Sequence, residues 1–265
     1  MRYSVITCVS DPKIYEECLL RSIYSIKHNH VEIVPIINVK NIYSAAVANN
    51  IGLQVSRSDW VIFAHQDVAL KDDWFNNLDK LISENNGAAI ISAAGIRKNH
   101  DGIGRWGGSL SIDSAAVGKV WNDNVLEPDW NGSKITQPIY AGDECLIVMD
   151  RKLKLQFDQR FTGFHFYGID LCLQAQAAGY QVLGANMPII HYGKHSSSMS
   201  EGNKYWIYFK LLHDKWKRLF PEVYTTHMHW VGDNLTSYIP TQLESDGLKL
   251  TVKASSITKI RINDI

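Results

Sequence analysis

From Tyr3 to Gly95, short apolar runs and helix-patterned runs take turns along the chain. Tyr3 to Cys8 reads as a strand. DPKIYEECLLRSIYSI follows, with Pro12 near its start and Ile14, Cys18, Leu19 and Ile23 at helical spacing. VEIVPII, WVIFAH and GAAIISAAG read as further strands, with SAAVANNIGLQVS and DWFNNLDKLISE as helices between them. A right-twisted strand feeding a helix packs back onto its sheet as a right-handed crossover, which makes the next strand parallel. The expectation is an α/β chain, a three-layer sandwich with helices on both faces of a mostly parallel central sheet. In such sheets ligands sit beyond the carboxyl ends of the strands.

The second half is less regular. Residues 96 to 137 are polar and rich in Gly and Trp, the pattern of a long functional loop. YAGDECLIVM, residues 140 to 149, reads as one strand. YGIDLCLQAQAAG reads as a helix with Gly179 placed to end it. YQVLGANMPIIHYG runs back towards the sheet, and residues 203 to 219 form an amphipathic helix rich in aromatic residues. After Pro221 the pattern changes to a small β appendage, so the expected division is one domain over 1–220 and a β extension over 221–265.

Charge and cysteine content exclude several classes. Lys plus Arg and Asp plus Glu number 27 each, which gives no general basic field for a nucleic acid. Cys8, Cys18, Cys145 and Cys172 are scattered without zinc-like spacing, as buried thiols in a reducing compartment would be. The start MRYSVITCVS lacks the features of a signal peptide, and no run reaches the roughly 18 apolar residues of a membrane span. A cytoplasmic protein is expected. Gly102, Gly104 and Gly107 match a dinucleotide-type spacing, but polar residues flank them where a strand and a helix would be needed. That match is read as chance.

The chemistry concentrates where apolar strands meet polar ends. In VIFAHQDVAL the run stops at His65-Gln66-Asp67, groups that are costly to bury without partners. MPIIHYG stops in the same way at His191. Each residue alone is weak, because a single buried histidine is usually a hydrogen-bonded core residue. If Asp67 and His191 share one sheet edge, they can ligate a divalent cation with positions left for water and phosphate; magnesium or manganese suits that set, and the imidazole favours manganese. Asp170 falls in the first turn of a helix, where a carboxylate is favoured for capping alone, and His165 precedes it in a loop. Either could serve as general base.

IFAHQDV, DECLIVMDRKLKLQFDQRF, FYGIDLCLQAQAAGYQVL and IIHYGKHSSS, in this order and spacing, resemble the family 2 glycosyltransferases of the Rossmann-like GT-A fold. The resemblance is to a glycosyltransferase-like branch with His-Gln-Asp in place of Asp-x-Asp, and it covers about residues 2 to 220. It implies that Asp67 is the metal-binding acid of that motif and that His191 completes a Mn2+ or Mg2+ site. It further implies that Ser10, Asn38, Asn50, His65 and Gln66 lie on the donor side, and that Lys194 and Ser196 belong to a loop closing over the diphosphate. Asp143 and Glu144, with Trp106 in the long loop, are expected on the acceptor side. The family's usual base position is Gly168 here, which leaves the base open between Asp170 and His165.

The expected function is inverting transfer of a sugar from a nucleoside diphosphate donor, a UDP-sugar, to a glycan or glycoconjugate hydroxyl. The alternative is a non-catalytic relative that binds nucleotide sugar or glycan as a scaffold. A nucleotidyltransferase is disfavoured, since CVSDPKIYEE replaces a Gly-rich loop after the first strand. The aromatic helix and the tail offer surfaces for a homo-oligomer or peripheral membrane contact; the plainer expectation is that they cover the sheet and close its edge.

Overall fold

The computed structural model describes residues 2–98, 116–118, 120–122, 136–192, 203–225, 228–237, 242–245, 248–251 and 258–261. The alternating unit folds into β1 (Tyr3–Val9), β2 (Val31–Ile37), β3 (Trp60–Ala64), the short β4 (Val68–Leu70) and β5 (Ala88–Ser92). Between them α1 (Pro12–Tyr15) passes through a π-helical stretch, Glu16–Leu20, into α2 (Arg21–Ser25), and α3 (Ala45–Val55) and α4 (Trp74–Glu84) follow. Local chemistry sets these starts. Asp11 caps α1 by accepting from the amides of Lys13 and Ile14, with Pro12 supplying a preset φ, and Ser44 caps α3 through the amide of Val47. In α4 the apolar stripe Trp74, Phe75, Leu78 and Leu81 is buried.

The rest of the chain forms β6 (Ala94–Arg97), β7 (Ala116–Gly118), β8 (Val120–Asn122), β9 (Thr136–Gly142), β10 (Leu146–Asp150), α5 (Tyr167–Ala177), β11 (Gln181–Ala185), β12 (Ile189–His191) and α6 (Asn203–Trp216). The short strands β13 (Glu222–Tyr224), β14 (Met228–Val231), β15 (Asn234–Ser237), β16 (Gln242–Ser245), β17 (Leu248–Thr251) and β18 (Thr258–Arg261) complete it. Among the described residues nine strands make the central sheet, in the order β2-β1-β3-β10-β5-β11-β9-β6-β7. From the pairings, β1, β2, β3, β5, β6 and β11 run one way and β7, β9 and β10 the other. The sheet is thus mostly parallel in sense, as expected.

Two core clusters lie on its two faces, and period-2 alternation assigns residues to them. Val5 and Ile62 join the cluster containing Leu19, Trp74 and Phe75, while Ile6, Val61 and Phe63 join that of α3, α5 and α6. This is the three-layer arrangement. The aromatic face of α6 (Tyr205, Trp206, Tyr208, Phe209) is buried in the second cluster, which also takes Met228, Trp230 and Leu235 from β14 and β15. Among the described residues no helix is long and apolar enough to cross a membrane.

Three readings of the sequence need correction. Residues 140 to 149 are two strands, not one, separated by a turn at Asp143–Cys145. β9 pairs with β11 and β6, whereas β10 inserts antiparallel between β3 and β5. GAAIISAAG likewise breaks at Ala93 into β5 and β6. Ser92 ties the two breaks together, its Oγ lying 3.0, 3.1 and 3.4 Å from the carbonyl oxygens of Ala94, Leu146 and Asp143. Finally, β12 does not return to the central sheet. It pairs antiparallel with β4 and parallel with β8 in a separate three-stranded sheet.

Candidate active site

β3 ends at Ala64, and His65-Gln66-Asp67 turn the chain into β4, with the Val68 amide donating to the His65 carbonyl at 3.2 Å. Pairing of β4 with β12 sets His191 opposite Val68, and the Tyr192 amide donates to the Asp67 carbonyl at 3.0 Å. The small sheet, rather than an edge of the central one, therefore brings the two chain segments together. His191 Nε2 lies 3.4 Å from Asp67 Oδ1, and the His65 and His191 rings are 5.6 Å apart between centroids.

One ligand atom from each of His65, Asp67 and His191 falls within 4.8 Å of the other two. Donors bound about 2.1–2.2 Å from a shared ion stand roughly 3–4.4 Å from one another, so this set fits a divalent cation with small side-chain adjustments. The electrostatics agree. Burial works against the Asp67 carboxylate, but the hydrogen bond and charge of His191, with the charge of His65, hold it at about 2. Burial first, then the neighbouring His191, pushes His65 below the usual imidazole range, towards the neutral form that ligates metals. Tyr167 Oη, 3.0 Å from His65 Nε2, fixes that ring.

A cavity of about 390 Å³ opens beside this cluster. Its polar lining includes Ser10, Asp11, Asn41, Asn49 and Glu144, and Phe63, Phe164 and Tyr167 supply aromatic walls. It lies past the carboxyl ends of β1 and β3, where an open sheet places its ligand.

The residues singled out from the sequence divide between this cavity and its supports. Gln66 lines the cavity, yet its amide is used by the β1–α1 loop. Its Oε1 accepts from the Ser10 and Asp11 amides at 2.9 Å each, and its Nε2 donates to Ser10 Oγ at 2.9 Å. Asn38 is buried and holds the following loop, exchanging hydrogen bonds with the Tyr43 backbone at 2.8 and 3.0 Å. Asn50 staples Phe157, donating to its carbonyl at 2.8 Å and accepting from its amide at 2.9 Å. His165 packs against Tyr205 with ring centroids 5.2 Å apart, and Asp170 is fully buried against α6. Asp143 accepts from the Cys145 amide at 3.0 Å, which shapes the turn that carries Glu144. Trp106, Lys194 and Ser196 lie outside the described residues.

Sequence reasoning passed over Asp11, Asn41, Asn49 and Tyr167. Asn49 adjoins Asn50, and the helical rotation of about 100° per residue turns one side chain to the cavity and the other to Phe157. Asn50→Ala would leave two buried backbone groups of Phe157 unmet, so a loss on the order of 2–4 kcal/mol is expected in urea unfolding. A midpoint unchanged from wild type would show that the staple contributes nothing.

With this geometry in view, similarity becomes informative. The sequence model of a family described as "Glycosyltransferase like family" matches residues 4–211. The chain belongs to this family. A curated relative from Fuscovulum blasticum, called "ATP synthase subunits region ORF 6", is 24% identical over 148 residues, covering 51% of this chain and 52% of its own. Among solved structures, S. aureus TarS 1–349 in complex with UDP-GlcNAc is 13% identical with a TM-score of 0.51, over 81% of this chain and 66% of that one. GalNAc-T7 with UDP, GalNAc and Mn2+ gives 0.55 at 11% identity, over 83% and 52%. The Pyrobaculum calidifontis mannosyltransferase PcManGT with GDP-Man and Mn2+ gives 0.54 at 12%, over 82% and 64%. At such identities the structural likeness establishes the GT-A fold. The glycosyltransferase-like chain spans about half of its curated relative and less than two thirds to about two thirds of these structures.

Proposed function

We propose that this glycosyltransferase-like chain moves a sugar from a nucleoside diphosphate donor, a UDP-sugar, to a hydroxyl of a glycan or glycoconjugate, with inversion at the anomeric carbon. The observation that carries this reading is the convergence of His65, Asp67 and His191 beside one cavity at the strand ends. A manganese or magnesium ion held there would supply Lewis-acid stabilisation of the departing diphosphate. Asp67 contributes the one formal negative charge of the three ligands, and the two imidazoles complete the set while leaving room for phosphate oxygens. Gln66 holds the Ser10–Asp11 rim in place. The side-chain amides of Asn41 and Asn49 are polar groups suited to the nucleoside. In this reading Lys194 and Ser196 meet the diphosphate and Trp106 meets the acceptor.

A thermal-shift panel of UDP- and GDP-sugars, each with Mn2+ and with EDTA, tests the proposal. Ligand at about 100 times its Kd adds roughly 2.7 kcal/mol, which for a chain of this size raises Tm by roughly 5–10 °C. We expect that rise with UDP-sugars plus Mn2+ and its loss in EDTA. An equal rise with GDP-sugars would remove the uridine preference, and no rise with any nucleotide would sink the reading.

A further inference from the structure

We propose that Glu144 is the base that takes the proton from the attacking hydroxyl, an assignment that rests on the transferase reading above. In that transfer the acceptor oxygen forms a bond to the anomeric carbon as the bond from that carbon to the diphosphate oxygen breaks. The bonding pair leaves on the diphosphate, and the hydroxyl proton must pass to a group within the cavity.

Among the described residues that line the cavity, three carry carboxylates: Asp11, Asp67 and Glu144. Asp11 is spent as the cap of α1, accepting from Lys13 and Ile14 at 3.0 and 3.2 Å. Asp67 is engaged with His191 in the cation cluster. Glu144 differs from both. It is only 9% exposed, and its Oε1 is buried without a hydrogen-bond partner. Leaving a buried carboxylate oxygen unmet is costly, and such a group persists where a ligand or a reaction makes use of it.

The fold holds this carboxylate in place deliberately. Ser92 Oγ gathers the carbonyl groups on both sides of the Asp143–Cys145 turn. On the facing side Gly168 stands in the first turn of α5, where a Cβ would be 2.6 Å from Glu144 Cγ and 2.7 Å from Ile147 Cδ1. A side chain at this position would have to displace Glu144 or Ile147. Burial, then the charge of Asp143, raises the Glu144 carboxyl well above the ordinary range, against the pull of the Phe166 and Gly168 amides. Once ionised, a carboxylate with raised proton affinity is a stronger base than an exposed one, so turnover should rise with pH as Glu144 loses its proton.

Other cavity groups are less suited. Tyr167 Oη is engaged with His65, and burial raises the Cys8 thiol, which accepts a hydrogen bond from Asn38 at 3.3 Å.

The experiment compares wild type with Glu144→Gln and Glu144→Ala. It reads UDP affinity with Mn2+ by calorimetry, and UDP release from UDP-glucose, UDP-galactose and UDP-N-acetylglucosamine with a panel of methyl and octyl glycosides. Glutamine keeps the volume and an acceptor for the Phe166 and Gly168 amides, so Tm should stay within a few degrees and UDP affinity within about threefold. Turnover should fall on the order of 10²–10⁴-fold, and added formate should restore part of it to Glu144→Ala. Turnover of Glu144→Gln within about tenfold of wild type would overturn the assignment, as would loss of UDP binding alongside turnover, or no recovery with formate. A wild-type protein that binds UDP and Mn2+ but releases no UDP from any donor would instead overturn the transferase reading, and this assignment with it.

Discussion

Asp67→Ala is expected to abolish manganese-dependent nucleotide binding and to lower donor turnover on the order of 10³-fold, the loss of several kcal/mol of stabilisation of charge on the departing diphosphate. Asp67 is the only anionic member of the candidate cation cluster, whose other two members are imidazoles. Without it, two neutral side chains remain to hold a divalent ion next to a diphosphate, and the cation loses both a ligand and local neutralisation. The fold should survive the change. The pairing of β4 with β12 runs through the backbone, and the contact from Tyr192 is made to the Asp67 carbonyl rather than to its carboxylate. A Tm within a few degrees of wild type, with the Mn2+- and UDP-dependent rise gone, is the pattern to look for. Retention of that rise by Asp67→Ala, or undiminished wild-type turnover in EDTA, would remove the metal from the account.

The elements legible in the sequence were those with unbroken periodicity. β1, β3, α3 and α4 stand out because each buries one face, or two, against a neighbour, and β2 because its apolar run pairs along the edge of β1. Partner choice is a different matter. Nothing local in MPIIHYG says that β12 will join β4 instead of the central sheet, since a short apolar run satisfies either pairing. The run YAGDECLIVM hides its turn for a related reason. Gly142 is the sole turn-former before Asp143 and Glu144, and the break sits against Ser92, distant in sequence, whose Oγ lies 3.4 and 3.1 Å from the Asp143 and Leu146 carbonyl oxygens. At the candidate site, VIFAHQDVAL pointed to the strand end where the cavity and the His65, Asp67 and His191 cluster lie, because buried polar groups at a strand end need partners. How those partners are shared out was hidden. Gln66 and Asn38 spend their amides on loops, and Asn49 faces the cavity while its neighbour Asn50 braces Phe157.

Asp170→Ala is expected to lower stability by about 3 kcal/mol, the lower end of the cost of removing one partner from a buried ion pair. Asp170 has no exposed surface, and donors take both of its carboxylate oxygens. Trp216 Nε1 and Lys215 Nζ each lie 2.7 Å from Oδ1, and Gln174 Nε2 lies 2.7 Å from Oδ2. Truncation would strand the indole N–H and unbalance the lysine. That lysine keeps Asp158 at 2.8 Å and is 22% exposed, which is why the lower end applies. For a chain of this size the loss corresponds to roughly 6–12 °C in Tm. Asp170→Asn retains an acceptor for Trp216 and should cost less. Because this carboxylate ties α5 to α6 and is saturated with donors, UDP affinity in the presence of Mn2+ should stay within about threefold in the asparagine variant. A wild-type urea midpoint for Asp170→Ala would mean that the network holds nothing. Normal stability with turnover abolished in Asp170→Asn would move the proton-accepting role from Glu144 back to the first turn of α5.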